Sequence, residues 1–148
     1  MSVLAPPKPE AQLVVQPRAR LNMQITWVRP PDLAPDSEAK RRTQLIEQLG
    51  FTVLNRRLQA LARSPKPPFI AAVAFKAQQG KSAEVTTLSV PAETDRWREA
   101  LAAIDQEQRR AVQYGVRQDE LDREIEEARA SMRQAVAGAA TRRPADLA

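Results

Sequence analysis

Two groups of side chains in this sequence could do chemistry. Six carboxylates crowd one stretch, Asp119, Glu120, Asp122, Glu124, Glu126 and Glu127, and three guanidinium groups, Arg56, Arg57 and Arg63, follow an apolar stripe. Clustered carboxylates can hold a hard cation, and a planar guanidinium can grip a carboxylate through two parallel hydrogen bonds. Both groups also have plainer readings. Acidic side chains in the first turn of a helix oppose its dipole, and arginines near a helix end reach solvent and the last carbonyls. A calcium-type site needs ligands converging from a glycine-containing loop, and none is present here. The 148 residues include no histidine and no cysteine. That removes serine–histidine and cysteine–histidine nucleophile pairs, and it leaves zinc none of its usual nitrogen or sulfur ligands. No Gly-rich phosphate loop or nucleophile elbow appears either. The sequence therefore assigns no catalytic, cofactor-binding or metal-binding residue to this chain.

The elements that would position these groups follow from periodicity. Residues 1–20, rich in Pro, Ala and Gln, read as a linker or disordered arm. Leu21 to Arg29 alternate, with Leu21, Met23, Ile25 and Trp27 on one face, and Pro30-Pro31 stops the run. This is a half-buried strand. Asp36 or Ser37 can cap a long helix to about Arg63, in which Leu45, Ile46, Leu49, Val53, Leu54, Leu58 and Leu61 recur at steps of three and four. Gly50 inside it is either simply tolerated or marks the close approach of a neighbour. Phe69–Gln78 and Glu84–Val90, separated by Gln79-Gly80-Lys81, read as a hairpin, and the apolar first run suggests a central strand.

A second helix, capped by Thr94 or Asp95, should end near Tyr114-Gly115. A third should run from Gln118 to Ala139 with Leu121, Ile125, Ala128, Met132, Ala135 and Ala139 as its stripe. That stripe fits packing on the sheet or on the preceding helix better than a coiled-coil seam. The order strand, helix, hairpin, helix, helix predicts an α+β fold, a small antiparallel sheet of about three strands with helices on one face.

Composition narrows the partners. The net charge is +5, but no basic stripe carries interleaved aromatics that would stack on bases, which argues against nucleic acid. No apolar run is long enough to span a bilayer. The lack of cysteine suits a cytoplasm or a periplasm equally.

Around the end of the first helix the residues resemble the insulinase/pitrilysin family of inverted-motif zinc peptidases. The resemblance rests on Leu54-Asn55-Arg56-Arg57-Leu58-Gln59-Ala60-Leu61-Ala62-Arg63, on Pro65 to Phe69, and on Glu99-Ala100-Leu101 opening a helix. Tyr114-Gly115-Val116 with Asp119-Glu120-Leu121 and the ending Thr141 to Ala148 complete it. It covers roughly residues 21–148. It implies a parent zinc metalloendopeptidase built of repeated α+β lobes around a chamber, in which H-x-x-E-H and a distant third ligand hold the zinc. This chain lacks those residues, so the resemblance makes it part of a non-catalytic lobe, with zinc only in the parent. Where the family's substrate-anchoring lobes place a Tyr six to eight positions after an Arg, this chain has Phe69 after Arg63.

The implied partners are the other lobes and an extended peptide along a strand edge, either Leu21–Arg29 or Glu84–Val90. An unpaired edge also leaves a homodimer open to the isolated chain. The resemblance tilts a bacterial location toward the periplasm. The alternative reading is a free-standing interaction module that dimerises through residues 118–139.

Overall fold

The computed structural model describes residues 21–139; the expected arm at 1–20 and the family-like ending at 141–148 lie outside them. The fold is α+β, in the order β1 (Leu21–Arg29), α1 (Glu38–Ala62), β2 (Val73–Gln79), β3 (Ala83–Ala92), α2 (Trp97–Tyr114) and α3 (Gln118–Ala139). The three strands form one sheet in the order β1-β3-β2, antiparallel at both pairings. Thus α1 carries the chain from one edge of the sheet to the other. Ser37 caps α1 as expected, its hydroxyl accepting from the Lys40 amide at 3.2 Å.

The central strand is β3, not the Phe69–Gln78 run. Leu88 pairs with Ile25 on one side and Ala74 on the other. Shielded by both neighbours, β3 buries Leu88 and Val90 toward the helices and Thr87 and Ser89 on the opposite face. Its weak alternation reflects that double shielding. The apolar residues ahead of β2 belong to the core without belonging to the ladder. Pairing stops at Val73 opposite Ser89, and Phe69 is buried from the connecting segment. Consequently β3 is no exposed edge; β1 and β2 are the edges.

Phe51, Leu54, Leu58 and Leu61 of α1 pack on the sheet with Ala100 and Ile104 of α2, forming one core with Phe69, Ala74, Leu88 and Val90. Met23, Ile25 and Trp27 of β1 close its side. The third helix departs from expectation. It packs on α1, neither on the sheet nor principally on α2. The start of α2 also differs: neither Thr94 nor Asp95 caps it, and Arg96 occupies the cap position without a side-chain cap. Its guanidinium instead reaches the Pro67 carbonyl at 2.9 Å and Glu99 at 2.9 Å, tying the Pro-rich connection to the helix. Gly115 ends α2 with φ +71° and ψ −151°. This positive-φ conformation is essentially glycine's alone, though it is not the left-handed helical one.

Candidate functional site

Of the arginines and carboxylates singled out in the sequence, Arg56 and Arg57 meet Glu120, Glu124 and Glu127, whereas Asp119 bonds Arg117, Asp122 bonds Gln118 and Glu126 bonds Arg129. Because Val53, Arg56 and Arg57 are three and four positions apart, they share a face of α1 turned away from Leu54 and Leu58. From that face Arg57 reaches both oxygens of Glu120, at 2.8 and 2.6 Å, and the Gly115 carbonyl at 3.2 Å. Arg56 grips Glu124 through Nε and Nη2 and reaches Glu127 at 2.6 Å. The Glu124 side chain is 2 % exposed. The guanidinium clamp is therefore real, and its carboxylates come from α3 of the same chain. Dipole compensation is only part of why the acids are there. Glu120 also accepts from the Arg117 amide at 3.0 Å, doing the reach-back half of a capping box.

The Arg57 guanidinium beside Glu120 holds its carboxyl down at about 2, against an ordinary 4.5, with the Arg117 amide adding to the effect and burial opposing it. The same partnership pushes Arg57 further up. A cleft of about 510 Å³ opens here, lined by Arg57, Glu107, Arg110, Tyr114, Arg117 and Glu120 among others. Its carboxylates are spoken for: buried Glu107 accepts from Arg110 at 2.8 Å. Among the described residues no group of acidic side chains is placed to hold a metal ion. With no His or Cys and with Glu120, Glu124 and Glu127 turned to arginines, this donor set does not fit zinc. Arg63 is exposed and Phe69 is sealed in the core, so that pair forms no joint surface for a peptide.

The strand edges offer a different kind of site, and they are unequal. At β2 the Asn55 side chain accepts from the Ala74 amide at 2.7 Å and donates to the Ala74 carbonyl at 2.9 Å. One amide group from α1 thus replaces the neighbouring strand at that residue. Two positions along, Lys76 bridges Glu47 at 2.6 Å and Glu84 at 2.9 Å. A charged lysine on an edge strand discourages further pairing. Sequence reasoning passed over Asn55; the signal was a lone polar residue between apolar Leu54 and the arginines. At β1, by contrast, no described residue bonds the outer edge of Leu21–Arg29. Unpaired main-chain groups along a strand edge are the kind an extended peptide can pair with. A pocket of about 230 Å³ opens on the helix side of the sheet, lined in part by Trp27 of β1, Leu88 of β3, Ala74 of β2, Leu54 of α1 and Ala111 of α2.

Over 83 residues, 55% of this chain, the sequence is 32% identical to the stromal processing peptidase of chloroplasts from Arabidopsis thaliana. The chain spans about 7% of that protein's length. No family model matches the chain, and no solved structure matches it. The chain is thus similar, over half its length, to a small part of a peptidase. No described helix is long and apolar enough to cross a membrane.

Proposed function

We propose that this chain is a non-catalytic lobe segment of a larger zinc metallopeptidase, walling the chamber in which the parent cleaves peptides. The observation that carries the reading is the likeness to a peptidase over 83 residues. It is supported by the same α+β order that the insulinase/pitrilysin resemblance implies. The chain has no histidine or cysteine, and among the described residues no group of acidic side chains is placed to hold a metal ion. Its part is to pack against the other lobes and to offer β1, the uncapped edge, to extended peptide. Stoichiometric, tightly held zinc in the purified chain would count against this division of labour.

Two measurements test the reading. The gene around this segment should encode H-x-x-E-H in the same open frame; a frame without it removes the peptidase assignment. Hydrogen exchange on the chain, with and without an unfolded peptide such as oxidised insulin B chain, tests the edge. Slower exchange confined to Leu21–Arg29 is the expected result. Equal slowing at Val73–Gln79, or none at β1, would remove the peptide-docking role.

A further inference from the structure

α1 and α2 both lie on the sheet, and between them the pocket of about 230 Å³ stays open. Ala74 and Leu88, both buried, form its floor. Trp27 of β1, Phe51 and Leu54 of α1 and Ala111 of α2, all half-buried, form its walls. Arg29 and Val112, both exposed, and half-buried Gln108 mark its mouth. An apolar interior with a few polar groups at the rim is the ordinary make-up of a small-molecule site.

The polar groups at this mouth are unspent, unlike those of the cleft beside Arg57. There Arg57, Arg110 and Arg117 are each bonded to a carboxylate. The side chains of Arg29 and Gln108 have no ion pair or hydrogen bond among the described residues. No described carboxylate lines the pocket, so its one formal charge is the Arg29 guanidinium. Glu84, opposite Arg29 in the ladder, gives its carboxylate to Lys76 at 2.9 Å. On α2, Asp105 and Arg109 pair with each other at 2.9 Å. A free guanidinium can grip a carboxylate through two parallel hydrogen bonds. Size limits what that carboxylate can carry. An apolar cavity of about 150 Å³ admits benzene, so a pocket of about 230 Å³ takes one ring on a short tether. The neighbouring rings of Trp27 and Phe51 favour an aromatic one.

We propose that this pocket binds a small aromatic carboxylic acid, with the ring against Trp27 and Phe51 and the carboxylate on Arg29, beside the Gln108 amide. This inference stands apart from the peptidase reading and survives or fails without it. The same chemistry occurs at the end of a peptide whose last residue is aromatic, so the test carries both forms.

Hydrocinnamate titrated into the full chain, followed by proton–nitrogen NMR, tests it. Saturable shifts at the Trp27 indole and the Ala111 amide are expected, with a Kd of about a millimolar or tighter. The corresponding amide keeps the ring and drops the charge, and it should bind at least about tenfold more weakly. R29Q should abolish that preference, so that acid and amide bind alike, without disturbing the fold since Arg29 is exposed. A111L should fill the pocket and remove binding of both. Should A111L disturb folding, the acid–amide comparison in R29Q decides alone. N-acetylphenylalanine distinguishes the source: tighter binding than hydrocinnamate supports a site for a peptide end, and weaker binding supports one for a free acid. No saturable shift with either acid, equal binding of acid and amide to the native chain, or an undiminished preference in R29Q would overturn the proposal. So would shifts confined to residues away from the pocket.

Discussion

Replacing Arg56 by methionine isolates the buried ion pair that fastens α3 to α1. Methionine keeps an apolar stem of similar length and removes the guanidinium. What remains is the Glu124 carboxylate, its side chain 2 % exposed, without either of its Arg56 hydrogen bonds. Breaking a buried ion pair from one side costs roughly 3–5 kcal/mol. The Arg56 side chain is 39% exposed, so water partly replaces it, which places the loss near the lower end, about 3 kcal/mol. Glu127, at 58% exposed, adds at most about 1 kcal/mol.

Urea unfolding followed through Trp27 and Trp97 should show a midpoint lowered by about 1–3 M, given slopes of about 1–3 kcal/mol/M for small proteins. The companion R56M with E124M removes both charges from the same place. It should recover to within about 1 kcal/mol of the native chain, since an apolar pair often replaces a buried ion pair at little cost. The coupling between the two sites is then about 2 kcal/mol or more. A loss under about 1 kcal/mol for R56M, as at an exposed pair, would refute the argument. So would a double variant whose loss is the sum of the two single losses.

The two glycines in or beside helices should respond with opposite signs. G50A should gain up to about 1 kcal/mol in the same unfolding assay, because a Cβ at Gly50 meets nothing within 4 Å. G115A, where φ is +71° and ψ −151°, should lose about 1–3 kcal/mol. N55A removes both bonds to Ala74; it should cost about 1–2 kcal/mol and make the chain associate through β2 with rising concentration, read by light scattering. Glu120, held at about 2 against 4.5 when unfolded, contributes stability that is full above pH 4.5 and is lost as pH falls toward 2. After screening this amounts to about 1–2 kcal/mol, and R57Q should flatten that limb of an acid titration.

Periodicity located the elements because each long element has a face of its own. The three- and four-residue spacing in α1, the alternation in β1 and the Gly115 break all survive in the fold, with α1 and α3 within a residue of their expected ends. Strand order was not legible, for a physical reason. Burial says that a run is apolar, not what covers it: Phe69 enters the core from a connection, while Thr87 and Ser89 of the central strand look like surface residues. The ion pairs were hidden for a related reason. A carboxylate at a helix start has a sufficient local explanation, so nothing in Glu120 or Glu124 alone points to arginines more than sixty residues away.

What distinguishes α1 from an ordinary amphipathic helix is that it carries three jobs on three faces. Leu54 and Leu58 fasten the sheet, Asn55 seals the β2 edge, and Arg56 and Arg57 fasten α3. These positions are consecutive in sequence, so rotating α1 by even one residue's 100° would misplace all three sets at once. The register of α1 therefore also decides which edge of the sheet stays open. With Asn55 fixed on Ala74, new strand pairing is directed to β1. A substitution that lets α1 slip should accordingly loosen α3 and unseal β2 together, whereas R56M should loosen α3 alone. Hydrogen exchange at Val73–Gln79 in R56M reads this difference: unchanged protection there supports a rigid α1, and lost protection would mean that α3 holds α1 in register.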